Sequence, residues 1–355
     1  MFIKKIILIN IIALYFILSV IIIFSPLLID LKRSIISTSF NDRRIELPNY
    51  ENISWAKKHF FEFSKLNTKY YDHITWRRND FNGETITIKN GYRMNKTNEN
   101  FILNKDIWVF GGSTVWGTGV DDKNTIPSLI EKLTNISTLN LGETGYNTTQ
   151  ELNLLLKELV KHKPKKIIFY DGVNDIGKCM KNLNYFSTGQ EAILQAKFQS
   201  KLSEPYSKNL IIAPLKILEK VKNSFQKKNT KLEYDCDINV LKAEKIAKTF
   251  VNNWINVELI AKKNNIKFIP ILQPTIFTST SNKNYLLTDY DELKKQYEIL
   301  YELIKKELSK EDFKYLNLEN SLNKAENYFI DFCHLSPNGN MKIAREIVTS
   351  DFFLD

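Results

Sequence analysis

Ile107-Trp-Val-Phe-Gly-Gly-Ser-Thr114 decides how this chain folds. Its four leading apolar residues suit a strand buried on both faces, the kind found in parallel sheets covered by helices. Two glycines directly behind the strand let the backbone turn tightly and leave the Ser113 hydroxyl unobstructed, as a nucleophile approaching a carbonyl carbon requires. A solvent-facing turn with a capping serine would read the same way. A phosphate loop would not, because no lysine follows in the register that G-x-x-x-x-G-K-[ST] demands. The surrounding chain has to choose between the first two.

Downstream, short apolar runs alternate with helical patterns. An amphipathic stretch covers residues 126–133, a strand candidate runs from Ser137 to Leu141, and Thr148 to His162 reads as a helix with Leu152, Leu155, Leu156 and Leu159 on one face, stopped by Pro164. Ile167-Ile-Phe-Tyr170, Phe268-Ile-Pro-Ile-Leu272 and Tyr315-Leu-Asn-Leu318 are further buried runs, with helical patterns at Val240 to Lys263 and Tyr290 to Leu308. Alternation of this kind predicts an α/β fold with three layers, α/β/α, around a mostly parallel five-stranded sheet. Such a fold places its site at the carboxyl ends of the strands.

Upstream, Ile6 to Ile29 are 24 consecutive uncharged, mostly aliphatic residues, enough for a transmembrane helix across a hydrocarbon layer of roughly 30 Å. A cleaved secretory signal would need a shorter apolar region and a small-x-small site, so an uncleaved anchor over residues 1–30 is expected. Lys4 and Lys5 before the segment and Lys32 and Arg33 after it give charge little say in orientation. A large domain behind a signal-like N-terminus normally translocates, which places it outside the cytoplasm, in a periplasm or at the cell surface. Residues 31–100 read as a membrane-proximal stalk and a small β-containing cap, with Glu84-Thr-Ile-Thr-Ile-Lys89 as an alternating strand. Trp76-Arg77-Arg78 and Gly91-Tyr92-Arg93 are packing groups or contacts to an anionic substrate. Residues 101–355 form the main domain, with a Lys-rich insertion at about 178–238.

Composition narrows the function classes. The 355 residues, 43% apolar and 25% charged, can bury a full core, and three cysteines exclude a disulfide-dense scaffold. The net charge of +10 is spread along the chain as a solvated surface; without zinc-finger spacing or an arginine stripe, no nucleic-acid partner is expected.

Three more short elements join Phe110-Gly-Gly-Ser-Thr114 at the ends of secondary structure. Asn140-Leu-Gly-Glu-Thr-Gly-Tyr146 can expose a backbone N–H toward the cleft, and Asp171-Gly-Val-Asn-Asp175 can aim an amide at developing negative charge. In Asp331-Phe-Cys-His334 the Asp, three residues before the His, can hold the imidazole in one tautomer while its other nitrogen faces a serine. Ser336 is an N-cap and Pro337 a first helical residue, which leaves His334 in the loop before the last helix.

In this order the four blocks resemble the SGNH hydrolases, also called the GDSL esterase/lipase family, over about residues 105–350. The resemblance implies the flavodoxin-like SGNH sheet and the following roles: Ser113 as nucleophile, Asp331 and His334 as its triad partners, and Ser113, Gly145 and Asn174 as the oxyanion hole. The first block reads Gly-Gly-Ser-Thr where the family name implies Gly-Asp-Ser-Leu. The triad carboxylate comes from Asp331, so activation of Ser113 does not depend on that missing Asp. This variant with an N-terminal anchor is similar to branches associated with bacterial surface polysaccharides.

The expected function is therefore a membrane-anchored serine esterase that removes acyl groups, O-acetyl above all, from a cell-surface polysaccharide through an acyl-enzyme. Its partners would be an acylated glycan or lipid substrate and, through residues 6–29, a membrane. An O-acyltransferase with the same triad and a non-catalytic glycan-binding protein on the same fold are the alternatives. No cofactor and no metal is expected, since no His/Cys cluster offers a site. A cysteine nucleophile lacks a suitably placed His-Asp pair, and in an oxidising compartment Cys179 and Cys236 would instead tie together the ends of the insertion.

Overall fold

The computed structural model describes residues 5–17, 19–20, 42–96, 102–181, 183, 233–288 and 290–354. The chain divides into two units, one of Met1–Asn41 with Glu191–Leu232 and the other of Asp42–Gln190 with Glu233–Asp355. In the first, residues 5–17 and 19–20 are helical, and most of their apolar side chains, Ile6 to Ile17, are exposed. No helix among the described residues is long and apolar enough to cross a membrane. Residues 18 and 21–29 of the expected span, the stalk residues 31–41 and residues 182 and 184–232 of the insertion lie outside the described residues.

Among its described residues the second unit holds ten strands. Five form small antiparallel sheets: β1 (Thr68–Tyr71) with β2 (Thr75–Arg78), and β3 (Phe81–Asn82), β4 (Thr87–Lys89) and β5 (Tyr92–Arg93) in order. The other five, β6 (Ile107–Gly111), β7 (Thr138–Asn140), β8 (Lys166–Asp171), β9 (Lys267–Leu272) and β10 (Leu316–Asn317), make one sheet in the order β10-β9-β8-β6-β7, parallel throughout. Alternation along the central strands divides its two faces by side-chain type. Ile107, Val109, Ile168, Ile269 and Ile271 join an aliphatic core with Ile126, Leu129 and Ile130 of helix Ile126–Thr134 and with Ile343 and Ile347 of helix Pro337–Val348. The intervening residues pack aromatic rings, Phe110 tilted against Phe169 at 4.8 Å and Phe169 edge to face with Phe268 at 5.6 Å. Each such side chain, fully buried, contributes about 1.5–3 kcal/mol to folding.

Two readings of the sequence need correction. Helix Thr148–Leu159 buries Glu151, Leu154, Leu155 and Glu158 rather than the leucine stripe, and Leu156 is exposed. The carboxyls can turn inward because they have buried neighbours: Tyr92 donates its hydroxyl to Glu158 at 2.8 Å, and Glu151 faces Asp171. Within Glu84–Lys89 only Thr87–Lys89 is strand. The Glu62 carboxylate accepts hydrogen bonds from the backbone N–H groups of Glu84, Thr85 and Ile86 at 2.8, 3.0 and 3.2 Å, so these residues wrap around an acid instead of pairing in a ladder.

The three cap arginines are buried and do not present themselves to a substrate. Arg93 sits against Asp122 at 3.1 Å and donates to the carbonyls of Trp116 and Gly117, closing the C-terminal end of helix Ser113–Trp116. Arg77 stacks on the Tyr92 ring at 3.9 Å, and Arg78 pairs with Glu143. Cys179 and Cys236 form a disulfide with Cα atoms 5.2 Å apart. Closing a loop of this size is worth about 4 kcal/mol on the chain-entropy argument.

Candidate active site

Ser113 opens a one-turn helix directly after β6, at the carboxyl end of the sheet's centre. Both glycines before it are there for space. A Cβ on Gly111 would come within 2.8 Å of the Tyr170 carbonyl, and one on Gly112 within 2.0 Å of Asn174 Nδ2. At Gly111 the obstacle is backbone, and at Gly112 it is the Asn174 side chain, which would have to move.

The last block reaches the same point from the other end of the chain. Ser336 accepts a hydrogen bond from Gly339 N and Pro337 starts the helix, so His334 is held in the loop before it. Asp331 Oδ1 accepts from the backbone N–H groups of Cys333 and His334 at 3.0 and 2.8 Å. Its Oδ2 lies 2.6 Å from His334 Nδ1, and His334 Nε2 lies 2.7 Å from Ser113 Oγ. Burial pushes the Asp331 carboxyl up, but the charge and hydrogen bond of His334 and the two N–H groups outweigh it and hold the group at about 2. An ionised Asp331 requires the proton on Nδ1, which leaves the Nε2 lone pair facing the serine hydroxyl.

Asn174 follows β8 and donates Nδ2–H to the Tyr146 carbonyl at 2.6 Å, while the same nitrogen lies against Gly112. Its amide therefore stands between the serine turn and the Gly145 loop. Gly145 has φ +81° and is the third residue of a turn closed by Tyr146 N–H on the Glu143 carbonyl at 3.1 Å. Gly145 is buried, and among the described residues neither its N–H nor that of Ser113 has an acceptor. Buried backbone donors are almost always paired, so these two, unpaired beside a serine and an amide, are free to receive an oxygen bound there.

Cys333 is buried with its Sγ 3.7 Å from His334 Nδ1, and burial and the Asp331 charge push its thiol up, so it stays protonated and does not compete as a nucleophile. Asp331, Cys333 and His334 each offer one ligand atom within 4.8 Å of the others. Two of those atoms are already engaged with each other, which makes this a poor resident metal site.

A buried carboxyl pair lies behind Asn174, and sequence reading missed it. Asp171 accepts from Trp254 Nε1 at 2.8 Å and faces Glu151, whose oxygens have no other partner among the described residues, while nearby Asp175 pairs with Lys178 at 2.6 Å. Burial pushes both carboxyls up, Asp171 to about 7; the charge of Asp171 adds to the rise of Glu151 and that of Asp175 to both, while the hydrogen bonds with Glu151 and Trp254 temper the rise of Asp171. The pair therefore keeps a proton that the unfolded chain releases near pH 4, and stability falls as pH rises from about 4 through about 7. Glu151→Gln is expected to flatten that decline and to raise the thermal midpoint at pH 8 relative to wild type, at roughly 2–4 °C per kcal/mol. Thermal melts at pH 5, 6, 7 and 8 check this, and parallel curves for the two proteins would reject the shared proton.

The family model for the GDSL-like lipases and acylhydrolases matches residues 107–347. No curated protein matches the chain. Among solved structures, a member of the lipolytic protein G-D-S-L family from Veillonella parvula DSM 2008 is 15% identical, with 69% of this chain and 97% of that chain covered and a TM-score of 0.40. The acetyl xylan esterase AlAXEase is 12% identical, with 68% and 97% covered and a TM-score of 0.40. A carbohydrate acetylesterase family member from Sinorhizobium meliloti is 14% identical, with 71% and 100% covered and a TM-score of 0.37. At these scores the structural likenesses bear no weight beside the family match.

Proposed function

The chain belongs to the GDSL-like lipase/acylhydrolase family and is an ester-bond hydrolase; from that premise we propose that it is a membrane-anchored serine esterase removing short acyl groups, O-acetyl above all, from a cell-surface polysaccharide. The observation that carries the chemistry is the unbroken relay from Ser113 Oγ through the His334 ring to Asp331, at 2.7 and 2.6 Å.

In this reading His334 Nε2 takes the Ser113 proton as Oγ bonds to the ester carbonyl carbon, and Asp331 stabilises the resulting imidazolium. The carbonyl oxygen, now anionic, receives the N–H groups of Ser113 and Gly145 and the free amide hydrogen of Asn174. As the tetrahedral intermediate collapses and the acyl C–O bond breaks, the imidazolium gives its proton to the departing sugar oxygen, which leaves as a hydroxyl, and an acyl-enzyme remains. Water, activated by the same imidazole, then releases the carboxylic acid and restores the serine.

Ser113 keeps only 6% of its surface, which suits a small acyl group better than a long aliphatic chain. A polar cavity of about 470 Å³, lined in part by Asn49, Asn52, Glu326, Ser336 and Asn338, adjoins the loop that carries His334 and suits a hydroxyl-rich ligand. Residues 6–29 supply the anchor and the extracytoplasmic placement in this proposal.

A fluorophosphonate probe tests the chemistry. Wild type is expected to be labelled and Ser113→Ala is not; an unlabelled wild type would leave a binding protein on a hydrolase fold. Free acetate released from an acetylated surface glycan, measured with and without an added sugar acceptor, separates hydrolysis from transfer.

A further inference from the structure

The turn Glu143-Thr-Gly-Tyr146 is tied to the main domain by Glu143 N–H on the Gly111 carbonyl and by Asn174 on the Tyr146 carbonyl, and on its other side it is gripped by one strand of the cap. Arg78 of β2 donates its backbone N–H to Glu143 Oε2 at 3.0 Å, its Nε–H to Oε1 at 3.2 Å and its Nη2–H to Thr144 Oγ1 at 2.8 Å. Thr144 N–H also goes to Glu143 Oε1, at 2.8 Å. Trp76, two residues earlier, donates its indole N–H to the Thr144 carbonyl at 3.0 Å, and its own carbonyl accepts the Tyr146 hydroxyl. The rings of Trp76 and Tyr146 meet edge to face at 5.5 Å.

One of these bonds has a geometric consequence for the chemistry. The Thr144 carbonyl and the Gly145 N–H belong to the same peptide group, and in a trans peptide the two point in opposite directions. The described peptides include no cis bond. Fixing the Thr144 oxygen on the Trp76 side therefore turns the Gly145 N–H away from the cap, and Tyr146 O, two peptides on, meets the Asn174 amide beside Gly112. Every polar group of Thr144 is engaged, whereas the Gly145 N–H is left without an acceptor.

We propose that Trp76 is a positioning residue of the oxyanion hole: its indole N–H sets the plane of the Thr144–Gly145 peptide, and the Arg78–Glu143 pair holds the turn in register behind it. The proposal rests on the esterase reading above. It gives the Trp76-Arg77-Arg78 motif a role that acts through the backbone and not through contact with the substrate. Arg77 serves the same strand by donating Nε–H to the Gly91 carbonyl at 3.0 Å, which ties β2 to the neighbouring small sheet.

Trp76→Phe keeps an aromatic ring and removes the N–H. In the full-length protein with p-nitrophenyl acetate it is expected to lower kcat about tenfold to a hundredfold, a fraction of what outright loss of an oxyanion donor costs, with KM within twofold of wild type. Inhibition by a boronic acid, whose serine adduct is tetrahedral and anionic, is expected to weaken by the same factor as kcat. A kcat within twofold of wild type overturns the proposal. So does a loss of activity that follows the unfolded fraction in a thermal melt, or one that raises KM and leaves boronate binding intact. Should Trp76→Phe not fold, Arg78→Lys, which keeps the charge on Glu143 and gives up the fork to Thr144, is measured in the same way and judged by the same outcomes. Ser113→Ala is run alongside. If it is inactive while Trp76→Phe behaves as wild type, only the positioning role fails; if it retains full activity, the esterase reading fails and the positioning role with it.

Discussion

Asp331→Asn is expected to lower kcat by about ten-thousandfold while leaving the fold and KM nearly unchanged, the loss seen when a triad carboxylate is replaced by its amide. The reason is the tautomer. Asp331 holds both backbone N–H groups of its loop on Oδ1 and the His334 ring on Oδ2. An asparagine can keep the first two bonds with its carbonyl oxygen, but the group then facing Nδ1 is an NH2 donor. The imidazole answers by carrying its proton on Nε2, where it points at Ser113 Oγ and cannot accept the serine proton. Because Asp331 is held at about 2, the wild-type residue stays ionised across the range in which an esterase works, and no acid limb near neutrality should come from it. Steady-state kinetics on a chromogenic acetate ester, with a thermal melt as control, measure the effect; a loss below tenfold would remove Asp331 from the relay.

The second large effect belongs to a residue with no side chain. Gly112→Ala is expected to reduce kcat about 10²- to 10³-fold, the range for loss of one oxyanion donor. The backbone at Gly112 has φ −78°, which alanine adopts without strain, so the chain itself tolerates the change. The new methyl group would stand 2.0 Å from Asn174 Nδ2, and Asn174 has to leave. Its departure also breaks the bond to the Tyr146 carbonyl. Asn174→Ala should give a loss of the same size, and the double variant should be no worse than Asn174→Ala alone, because both act on one amide. Additive losses would mean that Gly112 matters for another reason.

Gly112 is one of the two positions, with Thr114, at which the first block departs from Gly-Asp-Ser-Leu. In this structure an aspartate there would meet the amide of the third block.

Whatever depends on neighbours along the chain was legible without coordinates. Ile107-Trp-Val-Phe110 could be read as a central strand because an uninterrupted apolar run has few other uses, and the Asp331–His334 bond because both ends lie in one loop. The clasp on the Gly145 turn was not legible. Trp76 and Arg78 reach Thr144 and Glu143 across 68 and 65 residues, and nothing local in Trp76-Arg-Arg78 distinguishes a strand that grips a loop from one that faces a ligand. Glu151 and Glu62 misled for a related reason. An acid on a helix or beside an alternating run reads as a solvent marker, whereas here each has buried partners that only the assembled fold supplies. A lone acid between two glycines, as Glu143 is, was the one available hint: in a buried turn such a charge needs a cation.

Ser113 and His334 meet across 221 positions of the polypeptide. A nascent chain emerging from the ribosome thus carries the Ser113 hydroxyl long before it carries the His334 imidazole, and the relay cannot close until those 221 further positions have been added. The helix that follows His334, Pro337–Val348, also covers Ile126–Thr134. A product terminated before His334 would lose helix Pro337–Val348 together with the imidazole, so such unfinished copies expose the apolar side chains of Ile126, Leu129 and Ile130 for quality control to find instead of hydrolysing esters at random.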